Sequence, residues 1–311
     1  MNLRLKLRLA ALACLPLIHP GIYGELVNGA AAYAATSTVT APFASDRIAV
    51  TVTGSGPDVV LIPGLASSGH VWDATVAHLS AHHRVHVVQV AGFAGMPAGS
   101  NASGPLFEPV VEAIHAYVAA NHLRGAAVIG HSLGGTMAMR LAIAHPGDAG
   151  RIMIVDALPY AGMVFGPQLT VPMVQPQAAM IRDQMVKGTQ EAYAAAEPGQ
   201  MARWIKSRNA EADAATAAAS ASDHRVVGQA LYDDLVTDLR PDLAKIAIPV
   251  TMLYPWDETS GLPRQAFDTL YTGAYAPLPH AKVERVDGSY HFIMIDQPAL
   301  FLQKVDAFLA G

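Results

Sequence analysis

The sequence predicts an α/β fold: a mostly parallel central sheet flanked by helices, with an inserted helical cap. Three observations carry this prediction. Short apolar runs alternate with segments of helical length before residue 158 and again after residue 239, the pattern of strands covered on both faces. Between those limits strand signals vanish, and alanine-rich, methionine-containing amphipathic runs take their place. Finally, Gly130-His131-Ser132-Leu133-Gly134 stands where the apolar run Ala126–Ile129 meets a helix-forming segment. That setting puts a serine in a tight turn between strand and helix.

The elements follow in order. Thr38–Pro42 and Arg47–Thr53 read as strands, the second with alternating β-branched residues. The Gly54-Ser55-Gly56-Pro57 turn leads into a buried strand, Asp58–Ile62, which ends at Pro63-Gly64-Leu65-Ala66. A helix over Trp72–Ser80, a strand over Val85–Val90 and a helix over Leu106–Asn121 come next. The helix after Ser132 stops near His145-Pro146-Gly147, and Arg151–Val155 is the next strand. In the insertion, Gln177–Lys187, Thr189–Ala196 and Gln200–Thr216 favour helix. Strands resume at Val250–Tyr254 and Lys282–Val286, and Gln297–Leu309 is the final helix.

Composition limits what the chain can do. Its 311 residues, 52% hydrophobic and 14% charged, support one large core with an insertion. A net charge of −5 gives no electrostatic case for binding nucleic acid. The single cysteine, Cys14, excludes a disulfide framework and a cysteine-based zinc site. Arg4, Lys6 and Arg8, the apolar Leu9–Ile18 and the small residues through Ala32-Tyr33-Ala34 read as an export signal spanning residues 1–34. Cleavage after Ala34 leaves a mature charge near −7 and a periplasmic or secreted protein without stable membrane insertion. Lipoprotein processing at Cys14 is the alternative. The mature chain then divides into a core of residues 35–157 and 240–311 and a cap of residues 158–239.

In a parallel sheet, ligand sites lie beyond the carboxyl ends of the strands. Ser132 is there, at a helix N-terminus where the Leu133 N–H is free to meet developing negative charge. A serine nucleophile needs a base, and the base an orienting acid. His291 follows the last strand and meets the positional requirement; His280 precedes that strand, and His131 adjoins the serine with its side chain directed elsewhere. Asp257, after the strand Val250–Tyr254, is the expected acid. Asp156, after Arg151–Val155, is its competitor, and Glu258 is a substitute if the loop turns differently. An oxyanion needs a second donor, and the loop after Asp58–Ile62, at the same edge of the sheet, is where it is expected. Gly64 permits close approach there, so the Leu65 N–H is the candidate, with Ala66 if the loop is shifted. His78, His82, His83 and His86 cluster in sequence without a carboxylate or cysteine to complete a ligand set, so no metal is expected.

Together these segments resemble the α/β-hydrolase superfamily, specifically esterase and peptidase-like members with a helical cap. The residues that carry the resemblance are Pro63-Gly64-Leu65 with Trp72-Asp73, the turn around Ser132, Tyr254-Pro255-Trp256-Asp257, and Gly288-Ser289-Tyr290-His291-Phe292 with Gln297-Pro298. The order Ser132, Asp257, His291 is the family's. Two features depart from its pattern: Pro63 stands where many members carry histidine, and Pro255-Trp256 where many carry glycine. The resemblance implies a cofactor-independent serine hydrolase acting on small to medium esters through an acyl-enzyme at Ser132. Met163, Met173, Met180, Met185 and Met201 in the cap point to an apolar acyl or alcohol group. Aminopeptidase-like, lactonase and C–C bond hydrolase activities share this scaffold, with Glu191, Glu197 and Glu211 available to meet a substrate amine. A non-catalytic ligand receptor is the reading of another class.

Overall fold

The computed structural model describes residues 43–278 and 280–311. The expected strand at Thr38–Pro42 and the export signal lie outside them. The elements are β1 (Ile48–Gly54), β2 (Asp58–Ile62), α1 (Asp73–Leu79), β3 (Arg84–Val90), α2 (Phe107–Ala120), β4 (Ala126–His131), α3 (Leu133–Ala144) and β5 (Ala149–Val155). Four helices follow: α4 (Val171–Lys187), α5 (Gln190–Trp204), α6 (Ala210–Ser220) and α7 (His224–Val236). The chain closes with β6 (Val250–Trp256), α8 (Arg264–Tyr275), β7 (Ala281–Asp287), α9 (Ile293–Asp296) and α10 (Pro298–Ala310).

The seven strands form one sheet in the order β1-β3-β2-β4-β5-β6-β7, parallel except for β1 against β3. Every residue of β4, the middle strand, is buried. An apolar strand in that place loses water from both faces, which is why its sequence shows no alternation.

The insertion departs from expectation at one joint. Gln200–Thr216 does not form a single helix: α5 runs on to Trp204, and α6 begins afresh at Ala210. The break has two causes. The backbone N–H groups of Lys206 and Ser207 donate to the Asp296 carboxylate of the core, and the Asn209 side chain caps α6 by accepting from the Ala212 N–H. Helix α8 adds an element that the strand-centred reading passed over. Its buried residues Phe267, Tyr271, Ala274 and Tyr275 recur at helical spacing.

Candidate active site

The site is built at the carboxyl ends of β4 and β5. The two strands pair in parallel with His131 level with Val155, so Ser132 and Asp156 leave the sheet side by side. Both residues have positive φ, 52° and 49°, which residues with a side chain rarely adopt. Ala66, in the loop after β2, is a third, at 54°. Such conformations cost of order 1–3 kcal/mol and persist where the surroundings impose them. All three residues line one cavity of about 480 Å³.

The glycines around Ser132 answer to contact. A Cβ on Gly130 would stand 2.1 Å from the Gly134 carbonyl oxygen, and one on Gly134 would stand 2.3 Å from that of Ile62. The strand, the turn and the helix are therefore closer together than any side chain permits. Ser132 is partly exposed, and although it precedes α3 its hydroxyl makes no capping bond to the helix. Among the described residues, neither the Leu65 nor the Leu133 N–H has an acceptor. A Cβ on Gly64 would stand 2.9 Å from His131 Nδ1 and 3.1 Å from Ser132 Cβ, so the Leu65 loop closes tightly on the turn.

His291 lies between β7 and α9, and its Nδ1 is 2.5 Å from Asp156 Oδ2. The other Asp156 oxygen accepts from the Tyr271 hydroxyl on α8. Burial pushes the Tyr271 phenol well above its ordinary range, and the Asp156 charge adds to the shift. It therefore stays a neutral donor. The His291 ring is enclosed by those of His131, Trp204 and Phe292, at centroid distances of 4.6, 4.8 and 5.6 Å. His131 is fully buried and lies 3.1 Å by Nε2 from the His291 carbonyl oxygen. A carbonyl only accepts, so Nε2 carries the proton. Burial first, then the charge of His291, holds His131 well below the usual histidine range, and the ring is neutral.

Asp257, the expected acid, is not the partner of His291; its competitor Asp156 is. Register explains the exchange. Val155 of β5 is level with Leu253 of β6, but β6 runs on to Trp256. Asp257 therefore leaves the sheet three residues later than Asp156 does, about 10 Å further along at the usual rise of a strand. There it serves the turn and the cap instead. Its Oδ1 accepts from the Thr259 N–H at 2.9 Å, and its Oδ2 accepts from Lys206 Nζ at 2.5 Å. Burial pushes its carboxyl up, but the Lys206 and Thr259 hydrogen bonds outweigh burial and hold it below the usual range. Glu258 opens the short turn that follows.

The cap supplies the remaining wall. Met185 and Met201 line the cavity and Met163 is buried elsewhere, whereas Met173 and Met180 are exposed. Of the three cap glutamates, Glu191 and Glu211 are exposed and Glu197 lines the cavity. Asp234 on α7 lines it too. Sequence reading missed Asp234, and also Tyr271 as a partner of the acid; the helical spacing within α8 was the available signal for Tyr271.

The other histidines have separate work. His86 is buried between the Tyr117 hydroxyl and Asp58, at 2.7 and 3.0 Å, and His78 meets Asp306 at 2.7 Å. His115, His145 and Asp148 gather at the far end of α3. The two imidazoles stack at 3.6 Å with planes 7° apart. Ring lone pairs lie in the ring plane, so parallel stacked rings cannot both aim at one ion.

Comparison with known proteins gives a consistent result. The family model described as the alpha/beta hydrolase family matches residues 59–304. The chain is 26% identical over 275 residues to a pimeloyl-(acyl-carrier protein) methyl ester esterase of Aeromonas hydrophila, covering 82% of this chain and 96% of that one. An esterase from Exiguobacterium antarcticum superposes with a TM-score of 0.71 at 17% identity, over 85% of this chain and 96% of that chain. The enol-lactonase from Burkholderia xenovorans LB400 gives 0.67 at 18% identity, over the same shares.

Proposed function

The chain belongs to the alpha/beta hydrolase family and is an enzyme of hydrolase type, and from that premise we propose that it is a serine hydrolase cleaving small to medium carboxylic esters. The observation that carries the reading is the 2.5 Å contact of His291 Nδ1 with Asp156 Oδ2, in the cavity that Ser132 lines. With Nδ1 hydrogen-bonded to the carboxylate, Nε2 of the neutral ring has its lone pair free to take a proton from Ser132. The Ser132 hydroxyl oxygen attacks the ester carbonyl as its proton passes to His291. The Leu65 and Leu133 N–H groups receive the oxyanion. His291 then protonates the leaving alcohol, and the acyl-enzyme remains on Ser132. Water, deprotonated by His291, attacks the acyl carbon, and the acid leaves as Ser132 recovers its proton. Asp156 holds the ring in its tautomer and offsets the charge of the imidazolium. No metal or organic cofactor enters these steps. The cap of residues 158–239 restricts the cavity to compact esters, and residues 1–34 direct export.

The test is hydrolysis of p-nitrophenyl esters from acetate to palmitate by the wild type and Ser132→Ala. Turnover is expected to peak at short chains and to fall by about 10⁶ in kcat in the variant. Full activity in Ser132→Ala would refute the reading.

A further inference from the structure

The loop that carries the catalytic base is held by the cap as well as by the core. His291 stands between β7 and α9, outside any regular element. The peptide unit that follows it is fixed at both ends. Its carbonyl oxygen meets His131 Nε2 at 3.1 Å, and the Phe292 N–H donates to the Trp204 carbonyl oxygen at 3.3 Å. Trp204 is the last residue of α5 in the cap, where a helix leaves its carbonyls without partners of its own. Its indole also packs on the His291 ring, with centroids 4.8 Å apart.

On the other side of His291, the Tyr290 N–H donates to Asp296 Oδ2 at 2.8 Å. The same carboxylate reaches the cap. Its Oδ1 accepts from the Ser207 N–H at 2.8 Å, and the Lys206 N–H is 3.1 Å from both oxygens. One oxygen thus holds the loop of the base and the other holds the α5–α6 joint. A carboxylate that serves a helix start looks different in this fold: Asp233 accepts from the N–H groups of Leu106 and Phe107 at the start of α2 and from Gln229 on its own helix. The donors to Asp296, by contrast, all lie outside helices. A general base works only within hydrogen-bond reach of the proton it takes, and a misplacement of about 1 Å costs on the order of 100-fold. Both N–H groups that flank His291 end, directly or through Asp296, on one joint of the cap.

We propose that Asp296 is a positioning residue for His291: it fastens Tyr290 to the α5–α6 joint, so that the base stands correctly only when that joint is seated. This rests on the serine-hydrolase reading and adds to it how the cap governs the site. Substrate entry past a displaced joint leaves the base idle until the cap reseats over it.

The isosteric variant Asp296→Asn keeps one accepting oxygen and puts an amide donor where the other was, so either Tyr290 or Ser207 loses its acceptor. On p-nitrophenyl butyrate its kcat is expected to fall by about 10- to 100-fold, with KM within about threefold of wild type. The proton between His291 Nδ1 and Asp156 gives a far-downfield proton resonance, expected to broaden or move upfield in the variant. Lys206→Ala is the control. It breaks the side-chain contact with Asp257 and keeps the backbone N–H on Asp296, so its resonance is expected to match that of the wild type. An unchanged kcat in Asp296→Asn, a rise in KM alone, an undisturbed resonance, or an equal disturbance in Lys206→Ala would overturn the proposal. A second measurement needs no variant: in native-state hydrogen exchange of the wild type, the protection of the Lys206, Ser207, Tyr290 and Phe292 amides is expected to agree within about tenfold, as one cooperative unit. A wider gap between the joint and the loop would overturn the proposal. Ser132→Ala separates the two levels. Serine-dependent turnover with independent exchange of the two segments removes this inference only, whereas turnover that survives in Ser132→Ala removes the hydrolase reading and with it the role of His291 as base.

Discussion

Replacing Asp156 by asparagine tests the register argument directly, with Asp257→Asn as its counterpart. Asparagine keeps the volume and keeps an acceptor for Tyr271. Its amide, however, donates to Nδ1 of His291 where the carboxylate accepts at 2.5 Å. The ring then carries its proton on Nε2 and cannot accept from Ser132, and the imidazolium loses its counter-charge. The same change in a serine triad lowers kcat by about 10⁴, which is about 5 kcal/mol of transition-state stabilisation. Asp257→Asn disturbs only contacts to Thr259 and Lys206, so kcat is expected to stay within about threefold of wild type while stability falls by about 1–2 kcal/mol. Initial rates on p-nitrophenyl butyrate, with thermal unfolding as the control for folding, read both outcomes. A thousandfold loss in Asp257→Asn with Asp156→Asn near wild type would refute the assignment and the reasoning from strand register.

Two further outcomes follow from the cap. Glu197 has its carboxyl raised from 4.5 to about 7 by burial, so the folded chain binds that proton more tightly than the unfolded chain does. Its contribution is therefore complete below about pH 4.5 and is lost as pH rises through 7, a swing of about 3 kcal/mol at 1.36 kcal/mol per pH unit. Glu197→Gln is expected to flatten denaturant-measured stability between pH 5 and 8 relative to wild type, and parallel curves would contradict this. Lys206 joins the α5–α6 connection to the core through Asp257, and its side chain is 44% exposed while that of Asp257 is 3% exposed. Lys206→Ala is expected to lower Tm by about 2–4 °C and to raise KM severalfold by loosening the cap, with kcat nearly unchanged. An unaltered Tm and KM would show that the latch does not hold the cap.

Local rules made much of this molecule legible in one dimension. The turn around Ser132 was legible because its glycines, apolar strand and following helix are contiguous, although Gly134 answers to Ile62 of β2 and only Gly130 to a near neighbour. The parallel sheet was legible because buried strands show as short apolar runs. The position of His291 past the carboxyl end of β7 was legible because its distance from that strand is a local property. The split between α5 and α6 was legible only in part: Asn209 within Gln200–Thr216 is a local N-cap signal, but the other cause, Asp296, lies about ninety residues away.

The choice of acid marks the boundary most clearly. Sequence alone determined that a carboxylate after the strand ending at Val155 or after the next one would serve His291. Which of the two does so depends on how far β6 overruns β5, and that offset arises only when the strands pair. The same holds for Asp233 and Asp234. They are adjacent and chemically identical, and only the packing of α7 turns one to the start of α2 and the other into the cavity. Side-chain chemistry is written residue by residue. The environment that gives a carboxylate its role is made by segments distant in the chain, and it exists only in the folded protein.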